Sequence, residues 1–445
     1  MPVVPDVPRS GRRLFGGLPR EVAILASVSF TVALGYGIVA PSIPAFARQF
    51  GVSAAAAASV ISAFALMRVV GALPAGRLVD RFGERRTMAA GIVIVAASSV
   101  LAGFSGSFLQ LIVLRGVGGI GSAMFGVSGQ TLLLSSVRSD QRGRASGLYT
   151  GGFLLGSISG PAIGGLVAAW SLRAPFFIYG AMLTVPAGIA FAVLRDRPNR
   201  ARGTRDAAAD LPAGQHADRT GTTRPLAAMA QVLRSRAYQA AAAANLADGF
   251  TVIGVRSAIV PLFVKEVLGK PPTWTGIGFG VVAALNAAML LPAGRFADTL
   301  GRRPVIVAGC LGSAAGMATL AFAPGLVGFV IAMATLGISS GLLDVAPSAM
   351  IGDVLGRTSD AGGMIVASYQ MAGDVGAVSG PIAVGFLVDS VSYQAAFLLA
   401  AGVLVAAACA GLAARETRIV VSDPVIPAGP AAAGQSLDGE REIGR

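Results

Sequence analysis

The sequence predicts an all-α integral membrane protein whose twelve transmembrane helices form two parallel six-helix repeats. Three observations predict it. Hydrophobic residues make up 54% of the chain and charged residues only 13%, with a mean hydropathy of +0.71, whereas a soluble domain is usually about 25% charged. Apolar stretches of roughly 20 residues, the length that crosses a bilayer, recur twelve times. The stretch LPAGRLVDRFGERR from Leu73 returns as LPAGRFADTLGRRP from Leu291, 218 residues later, with eight of fourteen positions identical.

The first half reads as spans at 22–44, 56–78, 87–106, 108–134, 146–168 and 175–194. Arg9, Arg12, Arg13 and Arg20 precede the first span, as in a secretory signal, but its apolar run exceeds the usual 7–15 residues of such a signal, so it is kept as a membrane helix. The second span carries Arg68 near its middle. The third, AAGIVIVAASSVLAG from Ala89 to Gly103, is apolar on every face, which excludes the alternation of a barrel strand. Helix is then the form that satisfies its backbone in lipid. The fourth contains Arg115, and the fifth a run of glycines around Pro161.

Residues 195–238 break the rhythm with Arg, Asp, Gly, Thr and Ala and read as a linker between a six-helix bundle at 21–194 and a second at 239–413. The second half gives spans at 239–262, 274–294, 305–323, 326–351, 363–387 and 394–413. Residues 1–20 form a short leading segment, and 414–445, rich in Pro, Ala, Gly and charge, read as a disordered tail. A second repeat supports the duplication: Tyr149, Gly156, Ser159, Gly160, Pro161 and Gly165 recur 220 residues later as Tyr369, Gly376, Ser379, Gly380, Pro381 and Gly385. Six helices per half is an even number, so the copies enter the membrane from the same side and are parallel.

Orientation follows from the basic residues, which accumulate in cytoplasmic loops. With both termini inside, 28 of the 35 lie on the cytoplasmic side, and only Arg48, Arg173, Lys265 and Lys270 lie outside. The net charge of +13 is spread over helix ends instead of forming one face, which excludes a nucleic-acid reading and fits contacts with anionic lipid. Cys310 and Cys409 lie in spans and read as small hydrophobes; neither they nor His216, a linker residue, has metal-ligand spacing. No nucleophile and base pair, phosphate loop or cofactor motif points to an enzyme.

Three motifs resemble those of the major facilitator superfamily, and the resemblance covers nearly the whole chain, which implies the major facilitator fold. Its loop signature after helix two, roughly G-x-x-x-D-R/K-x-G-R/K-R/K, is matched by Gly76, Asp80, Arg81, Gly83 and Arg85, with Glu84 where a basic residue is common. The second copy keeps Gly294, Asp298, Gly301, Arg302 and Arg303 but has Thr299 in place of Arg81. Glycine permits the tight turn and close helix approach, and aspartate can pair with arginine or cap a helix. The resemblance implies a gate holding the halves together on the cytoplasmic side, with Asp80 its controlling member.

LRGVGGIGSA, from Leu114, resembles the family's R-x-x-x-G-x-G pattern and makes Arg115 a candidate for steering protons or substrate. Gly147, Gly156, Gly160, Pro161, Gly164 and Gly165 fit the antiporter signature G-x8-G-x3-G-P-x2-G-G without mismatch. By resemblance this marks proton-coupled exporters, above all the twelve-helix drug:proton antiporter group. Small residues at this spacing bring helices into backbone contact, and Pro161 removes a helix hydrogen bond.

Proton coupling needs a titratable membrane group. Asp248, Asp344 and Asp374 are the acids inside spans. Arg256 lies eight residues beyond Asp248, roughly 12 Å along a helix, so those two are not expected to pair directly, and spacing identifies no partner for Arg68. Tyr36, Asn245, Asn286 and Tyr369 offer hydrogen bonds in an otherwise apolar cavity, which suits hydrophobic or amphipathic cargo. The sequence thus points to a proton-driven antiporter of the plasma membrane for drug or secondary-metabolite efflux, complete in a single chain. A symporter or facilitator of a small metabolite, or a transport-inactive sensor, remains the alternative.

Overall fold

The computed structural model describes residues 18–137, 141–192, 231–356 and 362–417. His216, most of the expected linker and all but the first residues of the expected tail lie outside the described residues. Twelve helices are long and apolar enough to cross a membrane. They are α1 (Arg20–Val39), α2 (Ala54–Phe82), α3 (Glu84–Gly103), α4 (Phe108–Ser136), α5 (Arg142–Ala168), α6 (Ala174–Ala192), α7 (Arg236–Glu266), α8 (Pro272–Thr299), α9 (Arg302–Phe322), α10 (Leu326–Gly356), α11 (Gly362–Ser390) and α12 (Tyr393–Ala413).

The expected spans are recovered in order, several longer by a turn or more at the ends. Two differ internally. The first breaks at Ala40 and Pro41 before a short helix, Ser42–Ala47, because Pro41 and Pro44 cannot donate to the preceding turn. The seventh winds as a π-helix over Phe250–Ile259, where the Ser257 hydroxyl donates to the Val252 carbonyl at 3.0 Å. Serine side chains cap α2, α4, α7 and α12, Ser53, Ser107, Ser235 and Ser392 each accepting a backbone N–H, as oxygen-bearing N-caps do.

In the duplicated loop, Gly83 (φ 88°) and Gly301 (φ 108°) turn the chain between α2 and α3 and between α8 and α9. Both sit in backbone conformations closed to residues with a Cβ, so glycine is required at the same place in both copies.

Buried apolar residues of both halves belong to one contiguous core, and apolar side chains such as Leu101, Phe104, Phe322 and Val327 face outward, more than half exposed, as lipid-facing positions do. The halves meet along two helix pairs, α2 with α11 and α5 with α8. At one end of the molecule these pairs are tightly joined. Asp389 of α11 accepts the free N–H groups of Ala54 (2.8 Å) and Ala55 (2.7 Å) at the start of α2. An Arg48–Glu266 ion pair at 3.0 Å joins the halves at the same end, with Tyr393 donating to Glu266. Gly165 of α5 lies directly on Gly276 of α8, so that a Cβ on either would meet the other's backbone.

Further along, the Ser62 hydroxyl donates to the Val378 carbonyl at 2.8 Å, and Arg68 then pairs with Asp374. Beyond that pair, among the described residues, no hydrogen bond or ion pair joins α2 to α11. Ala55, Ser62 and Leu73 are spaced by seven and eleven residues, close to two and three helical turns, so they share a face; yet Leu73 is 80% exposed, as is Leu291 at the same position of the second copy. The halves are therefore closed at the Arg48 end and parted at the Asp80 end.

Candidate functional site

The polar groups of the membrane region form three separate arrangements. In the second half, Asp248 of α7, Asp344 of α10 and Arg256 of the π segment are each half-buried, and Arg256 lies within electrostatic range of both acids. Asn286 of α8 joins this group: its Nδ2 donates to Asp344 Oδ2 and to Ser340 Oγ, both at 2.8 Å. The sequence distance of eight residues separates Asp248 from Arg256 as expected, since no ion pair forms between them among the described residues. Asp344, which spacing could not place, supplies the third charge.

The π segment explains how α7 presents Arg256. A π turn adds a residue to the turn and shifts the register of everything after it, which rotates Arg256 relative to Asp248. A cleft at this point is lined by Ile158 and Pro161 of α5, Arg256, and Phe279, Val282 and Asn286 of α8. It thus lies between the halves, at the inner end of the joined α5–α8 pair. Asn245 donates to the Tyr369 carbonyl at 2.8 Å, so it fastens α7 to α11.

The second arrangement is the Arg68–Asp374 ion pair between the halves. It gives Arg68 the partner that sequence spacing did not identify, and it binds Asp374 apart from Asp344. The third is Arg115, 1% exposed, whose guanidinium lies 4.6 Å from the Phe64 ring centre and 5.9 Å from that of Tyr36. Its Nε and Nη2 are buried without a hydrogen-bond partner, a costly condition for a charged group that aromatic faces only partly offset.

The glycines expected to pack helices divide into two roles. Gly156, Gly160 and Gly164 bring α5 onto α1: a Cβ at Gly160 would lie 2.5 Å from the Leu34 carbonyl oxygen and 2.6 Å from Gly37 Cα. Gly165 instead touches the other half. Gly147 corrects the expectation of close approach, because nothing lies within 4 Å of where its Cβ would be, and the same holds for Gly76 and Gly294. All three lie where the halves are parted, so their packing surface is uncovered here.

The duplicated loop also differs between copies. Asp80 and Arg81 are exposed, and Asp80 makes no ion pair among the described residues; Arg85 Nε donates to the Ala190 carbonyl at 3.0 Å. In the second copy Arg302 pairs with Asp298 at 2.6 Å and Asp353 at 3.2 Å, and Glu416 accepts the N–H groups of Arg302 (2.9 Å) and Arg303 (3.1 Å). The expected gate residues Asp298, Gly301 and Arg302 are thus clamped within their own half in this conformation.

Sequence reasoning missed Asp353, Glu416, Asp389, Ser340 and the Arg48–Glu266 pair. For the last a signal existed: Arg48 and Glu266 are themselves 218 residues apart, as are the starts of α2 and α8, Ala54 and Pro272. By the same offset Arg68 corresponds to Asn286, so equivalent positions of the repeat supply one charged and one neutral polar group at the interface between halves.

The sequence profile described as Major Facilitator Superfamily matches residues 25–253 and 240–435. Among curated proteins, the chain is 29% identical over 174 residues to multidrug resistance protein 2 of Bacillus subtilis, covering 39% of this chain and 43% of that one. It is 31% identical over 176 residues to multidrug resistance protein 1 of the same organism, covering 39% and 45%, and 28% identical over 164 residues to the quinolone resistance protein NorA of Staphylococcus aureus, covering 37% and 42%. The aligned stretch spans less than half the length of each of these relatives. Among solved structures, a bacterial homolog of the human lysosomal transporter Spinster superposes with a TM-score of 0.72 at 15% identity, covering 88% of this chain and 96% of that one. The nucleoside transporter NupG superposes with a TM-score of 0.65 at 16% identity, covering 88% and 99%. With the family profile matching both halves and the fold shared across them, this chain belongs to the Major Facilitator Superfamily.

Proposed function

We propose that the protein is a proton-coupled antiporter that exports hydrophobic or amphipathic small molecules across the plasma membrane by alternating access. The observation that carries this reading is the group of Asp248, Asp344 and Arg256. Two acids opposite one arginine leave a net negative charge inside the membrane region, and one bound proton neutralises it. Intramembrane acids of this kind mark proton relays. Apart from Arg256 and Asn286 the cleft beside this group is lined by the apolar Ile158, Pro161, Phe279 and Val282, and the relatives named for multidrug and quinolone resistance support an apolar or amphipathic cargo.

The basic-residue bias puts the Asp80 end and both termini in the cytoplasm, so the described conformation is inward-open, and the Spinster homolog that it resembles was captured inward-facing. The two bundles, 21–194 and 239–413, rock about the site as parallel repeats. In this reading Gly156, Gly160 and Gly164 seal α1 against α5, Gly165 seats α5 on α8, and Asp80 closes the cytoplasmic side in the opposite conformation. One chain holds the whole pathway.

The test is efflux of a panel of lipophilic compounds from proteoliposomes carrying an imposed proton gradient. Efflux stops when the gradient is collapsed, and cargo movement drives protons the opposite way. Asp344→Asn and Asp248→Asn each lose proton movement. Undiminished gradient-driven efflux in both variants would falsify the assignment, and protons moving with the cargo would make the protein a symporter.

A further inference from the structure

We propose that Asn286 is an amide switch, which ties the proton state of Asp344 to the hydrogen-bonding character of a cargo subsite between α5, α7 and α8. The proposal rests on the reading of Asp344 as a proton-exchanging group. Asn286 is 2% exposed, and its side chain has two ends with different fates. Nδ2 is committed to Asp344 and Ser340. Oδ1 is buried with no partner, and Asn286 is one of the six residues lining the cleft beside Arg256.

The orientation of the amide follows from chemistry. An ionised carboxylate only accepts hydrogen bonds, so the amide must turn Nδ2 to Asp344. Ser340 agrees, because its hydroxyl donates to the Gly337 carbonyl at 3.2 Å and leaves its oxygen free to accept from Nδ2. The consequence is a buried carbonyl oxygen without a donor, on a residue that lines the cleft.

Protonation of Asp344 reverses this logic. The proton forms an O–H bond on the carboxyl, which becomes a donor, and the amide gains by rotating about χ2 so that Oδ1 accepts from Asp344. The hydroxyl of Ser340 is free to rotate and follow. Nδ2 then faces the cleft beside the Arg256 guanidinium, and the subsite offers donors only. With Asp344 ionised the subsite therefore takes a cargo group that donates a hydrogen bond; with Asp344 protonated it rejects that group.

Arg256 narrows the cargo further, since its positive charge disfavours a cationic donor. The class that fits is an uncharged amphipath with a hydroxyl or amide N–H at one end. Because coupling between two bound species is reciprocal, such a cargo would in turn hold Asp344 in its ionised form, and proton entry would expel the cargo. The other charged or titratable groups around Asp344 are Asp248 and Arg256 of α7 and Tyr369 of α11, with Cys310 of α9 near Asp248; none of them bonds to the Asn286 amide among the described residues.

The chain has three asparagines, Asn199, Asn245 and Asn286, which makes the switch directly observable. The full-length protein in phosphatidylcholine vesicles, labelled with asparagine carrying carbon-13 in the side-chain carbonyl, is followed by infrared difference spectroscopy across a pH titration. The expected result is a carboxyl C=O band that appears on acidification together with a shift of one labelled amide band to lower frequency, as Oδ1 gains a donor. Asp344→Asn removes the carboxyl band, and Asn286→Leu or Asn286→Ala removes the amide band while leaving the carboxyl to titrate. A carboxyl band that titrates and vanishes with Asp344→Asn, while no labelled amide band moves with it, overturns the switch and leaves the proton site standing. Absence of any carboxyl band sensitive to Asp344→Asn overturns the reading beneath it and the switch together.

Discussion

Arg68 and Asp374 form an ion pair between the two halves, and among the described residues it is the last polar contact between α2 and α11 on the way to the Asp80 end. On one side of it lie the Ser62–Val378 hydrogen bond and the Asp389 cap on α2; on the other, Leu73 stands 80% exposed. The pair is thus the innermost fastener of the closed end. Both side chains retain partial exposure, 39% and 27%, so the pair is weaker than a dry one.

A double-mutant cycle on Arg68→Met and Asp374→Leu is expected to show a coupling energy of about 1–2 kcal/mol, within the range for contacting residues. Each single change strands a charge and is more harmful than the double change. Chemical denaturation of the purified protein reads this; strictly additive single effects would remove the fastener role.

Gly160→Ala places a methyl 2.5 Å from the Leu34 carbonyl and cannot be relieved without separating α1 from α5, so it should cost about 1–3 kcal/mol. Gly147→Ala, with nothing within 4 Å, should stay within about 0.5 kcal/mol. Thermal unfolding of the two variants side by side checks the contrast, and equal losses would contradict it.

Gly165→Ala acts differently, because its methyl meets Gly276 of the other half and not α1. Folding should survive, while the closed state at the Arg48 end loses population. Spin-label distances across that end should lengthen on average; an unchanged distribution would show that the contact is slack.

In a background lacking Cys310 and Cys409, Leu73→Cys should react with a membrane-impermeant maleimide applied from the cytoplasmic side and resist it from outside. The 80% exposure of Leu73 and the basic-residue orientation both enter this outcome. Reaction from the outside alone would invert the assigned topology.

Replacing Arg115 with Met should raise stability while abolishing transport. The guanidinium is buried with Nε and Nη2 unbonded, and exchanging such a charge for an apolar side chain of similar length removes its desolvation cost. A fall in the unfolding midpoint would show that the aromatic contacts to Phe64 and Tyr36 outweigh that cost.

Hydropathy alone placed the twelve spans, because a helix in lipid is dictated by the apolarity of a continuous stretch and by the need to satisfy its backbone locally. The 218-residue repeat likewise exposed the duplication, since a shared ancestor leaves equal residues at equal spacing. Gly83 and Gly301 were legible as turns for the same local reason. The polar sites were not. Arg68 and Asp374 are more than three hundred residues apart, and only the packing of α2 on α11 brings them together. Arg256 comes within electrostatic range of both Asp248 and Asp344 where α7 winds as a π-helix with α10 packed beside it, neither of which a spacing rule contains. Glycine spacing announced close contact but not its partner, so that Gly160 and Gly165, five residues apart, proved to bind different halves. Local chemistry decides whether a segment spans a membrane; which charges meet is decided by how helices from distant parts of the chain pack.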